Sequence, residues 1–204
     1  MARLAMIGLT AVLLTACGSS SATPPPAATT APARFAGGEL TPAKPAPAIA
    51  LQDARGAKVT LAGQRGKLVL VTFLYTHCPD VCPLIAQNLN AALRRLTPAQ
   101  RRTVRVLAVS VDPRGDTPTA VRAYAKRLEL LPEFRFLVGT KAQLRPVWAA
   151  WHVLAVQQRP DLVDHVAYTA LVDRSGKERV LYGAQVQAHD VLHDLRVLIG
   201  TAKA

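Results

Sequence analysis

Hydrophobic and polar positions repeat with two different periods along this chain, and their alternation lays out its elements. An apolar run, Val69-Leu70-Val71-Thr72-Phe73-Leu74-Tyr75, has no polar face and predicts a strand over 67–75 that is buried on both sides. After Cys82, apolar residues recur at spacings of three and four (Ile85, Leu89, Ala92, Leu93, Leu96), which predicts an amphipathic helix over 82–96 that stops before Pro98. A second apolar run fills 104–111. Thr117 followed by Pro118 marks the cap and first position of a helix reaching about residue 130. Then come a short strand over 134–138, a helix over 141–150, a strand over 151–156 and a loop over 157–164 around Pro160. An apolar, β-rich stretch over 165–173 turns at Asp173-Arg174-Ser175-Gly176 and pairs back with 178–182. Residues 188–200 predict a closing amphipathic helix. Near the start, 49–51 and 58–61 flank the turn-like Asp53-Ala54-Arg55-Gly56 and predict a small hairpin.

Strand, helix, strand, helix, then an antiparallel hairpin and a last helix give an α/β class. This is the order of a thioredoxin-like sandwich: a mixed central sheet flanked by helices, with an N-terminal β-hairpin, over residues 48–204. No repeat at a period of 20 to 50 residues interrupts it.

Residues 1–16 read as a targeting segment. Arg3 supplies the positive end, and the apolar run over 4–14 is too short to span a bilayer. Leu14-Thr15-Ala16-Cys17 matches a bacterial lipobox, in which Cys17 becomes the lipidated first residue. Residues 17–47, with seven prolines among Ala, Ser and Thr, read as a Pro/Ala-rich disordered tether. The expected location is therefore extracytoplasmic, periplasmic or outer, on a bacterial membrane held through Cys17, and the chain is read as a monomer. The formal charge is +12, but the basic residues are scattered and an exported chain meets no nucleic acid. The charge reads as a solvated basic surface, or as steering toward an acidic partner or anionic headgroups.

Setting Cys17 aside leaves two thiols, Cys78 and Cys82, where the central strand gives way to a helix. There, backbone N–H groups and the helix dipole favour thiolate. Were the helix to start near Pro79, the two cysteines would stand one turn apart on one face. That spacing permits a disulfide and equally suits a soft metal. Among the histidines, His165 opens the stretch that, in a thioredoxin order of strands, lies beside the cysteine corner. No proline occurs between Asp161 and the C-terminus, so the substrate-binding cis-proline of thioredoxins is absent there. Two thiolates and one imidazole make a three-coordinate site suited to copper, with Asp164 placed to orient a ligand. His77 adjoins Cys78 but is free to point elsewhere. His152 falls in a predicted strand, and His189 and His193 lie on the last helix.

Three segments carry a family resemblance. They are Tyr75-Thr76-His77-Cys78-Pro79-Asp80-Val81-Cys82-Pro83, Val109-Ser110-Val111-Asp112-Pro113 with Asp116-Thr117-Pro118, and Asp164-His165 followed by Leu171-Val172-Asp173-Arg174-Ser175-Gly176. In this order they resemble the SCO/SenC copper chaperones over about residues 48–200. The resemblance implies one copper ion, Cu(I) or Cu(II), bound by Cys78, Cys82 and His165. It also implies delivery of copper, or of reducing equivalents, to the dinuclear copper centre of cytochrome c oxidase or to another copper protein. Val166 stands where many members carry Ser or Thr. Asp112 is read as shaping its loop, with a lesser influence on the metal. The expected class is thus a binding and transfer protein. A thiol–disulfide oxidoreductase acting on the acceptor's cysteines is the alternative, and a thiol peroxidase a weaker third.

Overall fold

The computed structural model describes residues 34–159 and 162–200. The leader over 1–16, the lipobox cysteine Cys17 and the tether as far as residue 33 lie outside these. In chain order the strands and helices are β1 (Gly38–Pro45), β2 (Ala50–Asp53), β3 (Lys58–Thr60), β4 (Leu68–Leu74), α1 (Val81–Arg94), α2 (Pro98–Arg102), β5 (Val104–Ser110), α3 (Pro118–Arg127), β6 (Phe134–Val138), α4 (Lys141–Ala150), β7 (Ala155–Arg159), β8 (Leu162–His165), β9 (Thr169–Val172), β10 (Lys177–Tyr182) and α5 (Ala188–Gly200).

Eight strands form one mixed sheet in the order β1-β10-β9-β4-β5-β6-β2-β3. All seven residues of β4 are buried, as a strand with neighbours and covered faces on both sides demands. It runs parallel to β5, with Phe73 opposite Val109, and antiparallel to β9, with Val71 opposite Ala170. The parallel pairs β4–β5 and β5–β6 need crossovers, which α1 and α3 provide. The expected hairpin is β2–β3, with Leu51 opposite Val59. Its turn is organised by Asp53, which accepts from the backbone N–H groups of Arg55 and Ala57 and pairs with Arg135. Helices α1 and α5 pack side by side. Threonines cap three helices, Thr97, Thr117 and Thr140, each hydroxyl accepting from the N–H three residues on.

Four boundaries differ from the sequence expectation. The tether does not run to residue 47, because β1 pairs antiparallel with β10 along the sheet's edge. An edge strand tolerates Pro42 and Pro45, since a missing N–H on the open side interrupts no ladder. This segment is fastened by Asp194 of α5, fully buried, which accepts from the N–H groups of Ala36 (2.7 Å) and Gly37 (3.1 Å) and from the Tyr182 hydroxyl (2.7 Å). Residues 98–102 form the short helix α2 after its capping box of Thr97 and Gln100. The strand expected over 151–156 starts only at Ala155, because Trp151 and His152 close α4 and His152 takes φ +55°. The loop expected over 157–164 is largely strand: β7 and β8 form a separate two-stranded ribbon, Ala155 opposite His165.

Candidate metal centre

The corner after β4 is built by backbone hydrogen bonds before any side-chain chemistry. Tyr75 and Thr76 are buried, and the N–H of Cys78 reaches back to the carbonyl of Tyr75 at 3.4 Å. Helix α1 then starts at Val81, with the Asp80 carboxylate capping it through the Val81 N–H. This is within one residue of the expected helix over 82–96, and the alternative of a start near Pro79 is not met. Cys78 lies in the loop ahead of the helix and Cys82 in its first turn, so the two are not stacked on one helical face. They meet because the loop folds back, and the Cys82 N–H donates to the Cys78 sulfur at 3.3 Å. An orphan N–H of the helix start is thereby satisfied by sulfur.

The two thiols are electrostatically unequal. The Cys78 thiol is pulled down to about 6, first by a hydrogen bond from the Cys82 side chain and then, against the cost of burial, by the N–H groups of Cys82 and Asp80. Cys82 is pushed well above the usual thiol range by that same sharing with Cys78 and by full burial. The structure holds both as free cysteines.

His165 arrives from β8 rather than from the start of a sheet strand. Its Nε2 lies 3.9 Å from the Cys82 sulfur, and its Nδ1 faces the Val166 carbonyl at 3.2 Å. A carbonyl only accepts, so the ring proton sits on Nδ1 and Nε2 offers its lone pair toward the cysteines. Burial lowers the imidazole's pKa, which keeps it neutral at neutral pH. Tyr75 packs edge-on against the ring, 5.9 Å between centroids at 78°. Asp164, expected to orient a ligand, is exposed; strand alternation turns it to the face opposite His165. The orienting group is instead the backbone of Val166, so the missing hydroxyl side chain at that position does not remove it.

Asp112 is buried in its loop, its N–H donating to the Ser110 hydroxyl at 3.2 Å and its carboxylate accepting from the Arg114 N–H at 3.3 Å. That matches a role in loop shape. A Cβ on Gly115 would stand 2.2 Å from the Asp112 Oδ2 and 3.0 Å from the His77 Nδ1, so only glycine fits the crossing. His77 is exposed, with Nδ1 3.2 Å from the Thr76 hydroxyl. His152 is exposed and outside any strand, and His189 and His193 lie on α5.

The residue that sequence reasoning missed is Asp116. Buried, it accepts from the Thr76 N–H at 2.7 Å and from the Ser110 hydroxyl at 2.5 Å, clamping the start of the cysteine loop to the end of β5. Burial pushes its carboxyl up to about 6 despite both hydrogen bonds. In the sequence it read only as part of a motif ahead of the Thr117 cap.

Two ligands of one metal, at about 2.3 Å for sulfur and about 2.0–2.1 Å for imidazole, stand about 3.8 Å apart when the bond angle is about 120°. The 3.9 Å between the Cys82 sulfur and His165 Nε2 meets that requirement. Among the described residues no three His, Cys, Asp or Glu side chains form a finished metal cage. The corner is a set of adjacent soft donors, two sulfurs and one neutral imidazole.

Known proteins resemble the chain over most of its length. The SCO1/SenC family model matches residues 40–200. The solution structure of apo Sco1 from Thermus thermophilus is 35% identical, with a TM-score of 0.69 over 80% of this chain and 96% of that one. ScoI from Bradyrhizobium japonicum, solved with copper bound, is 29% identical, with a TM-score of 0.66 over 75% of this chain and 98% of that one. A SCO2-like protein of Rickettsia typhi is 26% identical over 73% of this chain and 75% of its own length. In its counterpart from Rickettsia prowazekii, 27% identical over 63% of this chain, the match spans 64% of the relative's length.

Proposed function

We propose that this chain, which belongs to the SCO1/SenC family, is a copper metallochaperone that takes one copper ion on Cys78, Cys82 and His165 and hands it to the dinuclear copper centre of cytochrome c oxidase. The observation that carries this reading is the His165 imidazole, its Nε2 aimed at the Cys82 sulfur at 3.9 Å, beside the Cys78 sulfur that the Cys82 N–H contacts at 3.3 Å and that this hydrogen bonding favours as thiolate. Soft thiolates with one imidazole prefer copper, and copper is bound by the Bradyrhizobium japonicum relative. Loading releases the thiol protons, chiefly that of Cys82, whose pKa is raised. Transfer follows by ligand exchange, each acceptor thiolate or imidazole replacing one of these donors while the electron count on copper stays fixed. Cys17 as a lipid anchor, with the domain on the extracytoplasmic side, belongs to the same proposal.

The asymmetry of the thiols supports a second reading, a thiol–disulfide oxidoreductase. There the Cys78 thiolate attacks an acceptor disulfide and Cys82 resolves the mixed disulfide. Two acceptor thiols form as the Cys78–Cys82 disulfide closes. Titrating copper into reduced protein, with and without His165→Ala, separates the two by absorption and electron paramagnetic resonance. A chaperone binds near one copper per chain and loses most of its affinity in the variant. A protein that binds no copper, yet reduces disulfides equally well with either residue at 165, refutes the chaperone reading.

A further inference from the structure

The basic residues are scattered in the sequence, but pairing of the strands gathers many of them at one end of the sheet. Leu68 stands opposite Val104, so the starts of β4 and β5 lie side by side. Antiparallel pairing brings the end of β9 to the same level, Val172 opposite Val69. The β9–β10 turn and the segments leading into β4 and β5 therefore share that end. Backbone hydrogen bonds join them: the Gly66 N–H donates to the Arg174 carbonyl at 3.0 Å, and the Leu68 N–H to the Thr103 carbonyl at 2.9 Å. Helix α1 begins at the opposite, cysteine-bearing end and runs back to finish just ahead of α2.

Cations crowd these segments. Arg65 and Lys67 precede β4, Arg95 follows α1, Arg102 ends α2, Arg105 opens β5 and Lys177 opens β10. Arg65, Arg95, Arg102 and Lys177 are exposed, and Lys67 and Arg105 are half-buried. The Arg65 guanidinium lies over the β9–β10 turn, where a Cβ on Gly176 would stand 2.1 Å from its Nη1. The carboxylates described at this end, Glu129, Glu133 and Asp173, pair with other arginines, Arg94, Arg101 and Arg179. Glu178 lies on the other side of β10 from Lys177 and lines a cavity with Lys44 and His152. The large apolar side chains exposed among the described residues, Leu84, Leu154, Val156, Val166 and Leu181, all lie elsewhere.

We infer that this end of the domain seats on an anionic phospholipid surface and turns the cysteine corner away from it. Like charges brought together repel one another, and an anionic surface relieves that repulsion. A protein interface is built around an apolar centre, which the exposed side chains described here do not supply. Phospholipid headgroups need only positive charge spread over a broad area. Strand β4, seven residues long, separates the two ends, so the cysteine corner stands about 20 Å from the lipid. The seat is independent of what happens to the metal, since Cys78, Cys82 and His165 all lie away from it.

The test is sedimentation of the full-length chain with vesicles of phosphatidylcholine, alone or with one-third phosphatidylglycerol. Salt is held at about 0.1 M, where charges are screened beyond about 10 Å. Residues 1–33 are the same in every variant, so differences between variants read the folded domain. Arg95→Gln, Arg102→Gln and Lys177→Gln together are expected to weaken binding to the anionic vesicles about a hundredfold, or about fivefold per cation. Arg114→Gln, Lys141→Gln and Arg145→Gln remove the same charge at the other end and are expected to change binding less than about twofold. Circular dichroism and melting temperature stay as in the unaltered chain. Iodoacetamide labelling of Cys78, read by peptide mapping, is expected to keep its rate on the vesicles. Equal losses in the two triple variants assign binding to net charge and overturn the proposal. An unaltered chain that binds both vesicle types alike also overturns it. So does binding to polyglutamate or duplex DNA that needs Arg95, Arg102 and Lys177, with none to vesicles, which assigns this end to an acidic polymer. Cys78 labelling slowed by lipid places the cysteine corner against the membrane and refutes the orientation.

Discussion

Asp116→Asn is expected to change the pH dependence of folding more than the fold itself. In the native protein the Asp116 carboxyl is pushed up to about 6 by burial, from an ordinary value of 3.8. The folded state therefore holds this proton more tightly than the unfolded chain does. Its contribution to stability is fully present below pH 3.8 and is lost as pH rises through about 6. The two-unit difference corresponds to about 3 kcal/mol at 1.36 kcal/mol per unit, and about 2 kcal/mol of that falls between about pH 4.5 and pH 7. Asparagine keeps an acceptor for the Thr76 N–H and offers its amide to Ser110, but it has no proton to lose. The gap in stability, variant minus unaltered protein, should therefore widen in the variant's favour by about 2 kcal/mol over that pH range. Urea unfolding of both reduced proteins, at half-unit steps of pH, measures it. A gap that stays constant with pH would show that Asp116 is ionised without penalty, and the burial argument would fail.

Iodoacetamide should modify Cys78 with a rate that rises through a midpoint near pH 6, while Cys82 reacts only at much higher pH; peptide mapping after brief labelling reads both, and a Cys78 midpoint above about 8 contradicts the assignment. Gly115→Ala should cost about 1–3 kcal/mol and weaken copper binding, because its Cβ meets the Asp112 carboxylate. Gly183→Ala, where a Cβ meets nothing within 4 Å, is the control, and equal melting temperatures for the two would refute the crowding. Asp194→Ala should cost about 3–5 kcal/mol by stranding the buried Tyr182 hydroxyl and freeing the N–H groups of Ala36 and Gly37, and should open the chain to trypsin after Arg34.

The sequence carried the interior of the fold because burial leaves a mark there. Strands β4 and β5 are apolar on both faces, and Thr117 before Pro118 admits one main reading. The candidate donors were legible from residue types: two cysteines at a strand-to-helix corner and one histidine ahead of a strand. What stayed hidden depends on backbone pairing. β1 is held by hydrogen bonds to β10 and by Asp194, about 150 residues away in the chain, while its own prolines and small residues resemble a linker. The β7–β8 ribbon alternates too weakly, across Gln157, Gln158 and Arg159, to separate it from a loop. Asp116 escaped because a buried carboxylate bonded to main chain has no periodicity to betray it.

His165 and the cysteines are carried by separate parts of the fold. The sulfurs belong to the main sheet's corner, whereas the imidazole is carried by a ribbon of two short strands. Strand pairs of that size are marginal alone, so the ribbon's opening costs less than unfolding the core. The imidazole therefore behaves as a tethered third donor, present at high effective concentration yet replaceable without disturbing the sulfurs. On the proposed chaperone reading, an incoming ligand from an acceptor would compete first with this weakest-held arm. The topology would then set the order of bond exchange, with histidine leaving first and the thiolates following.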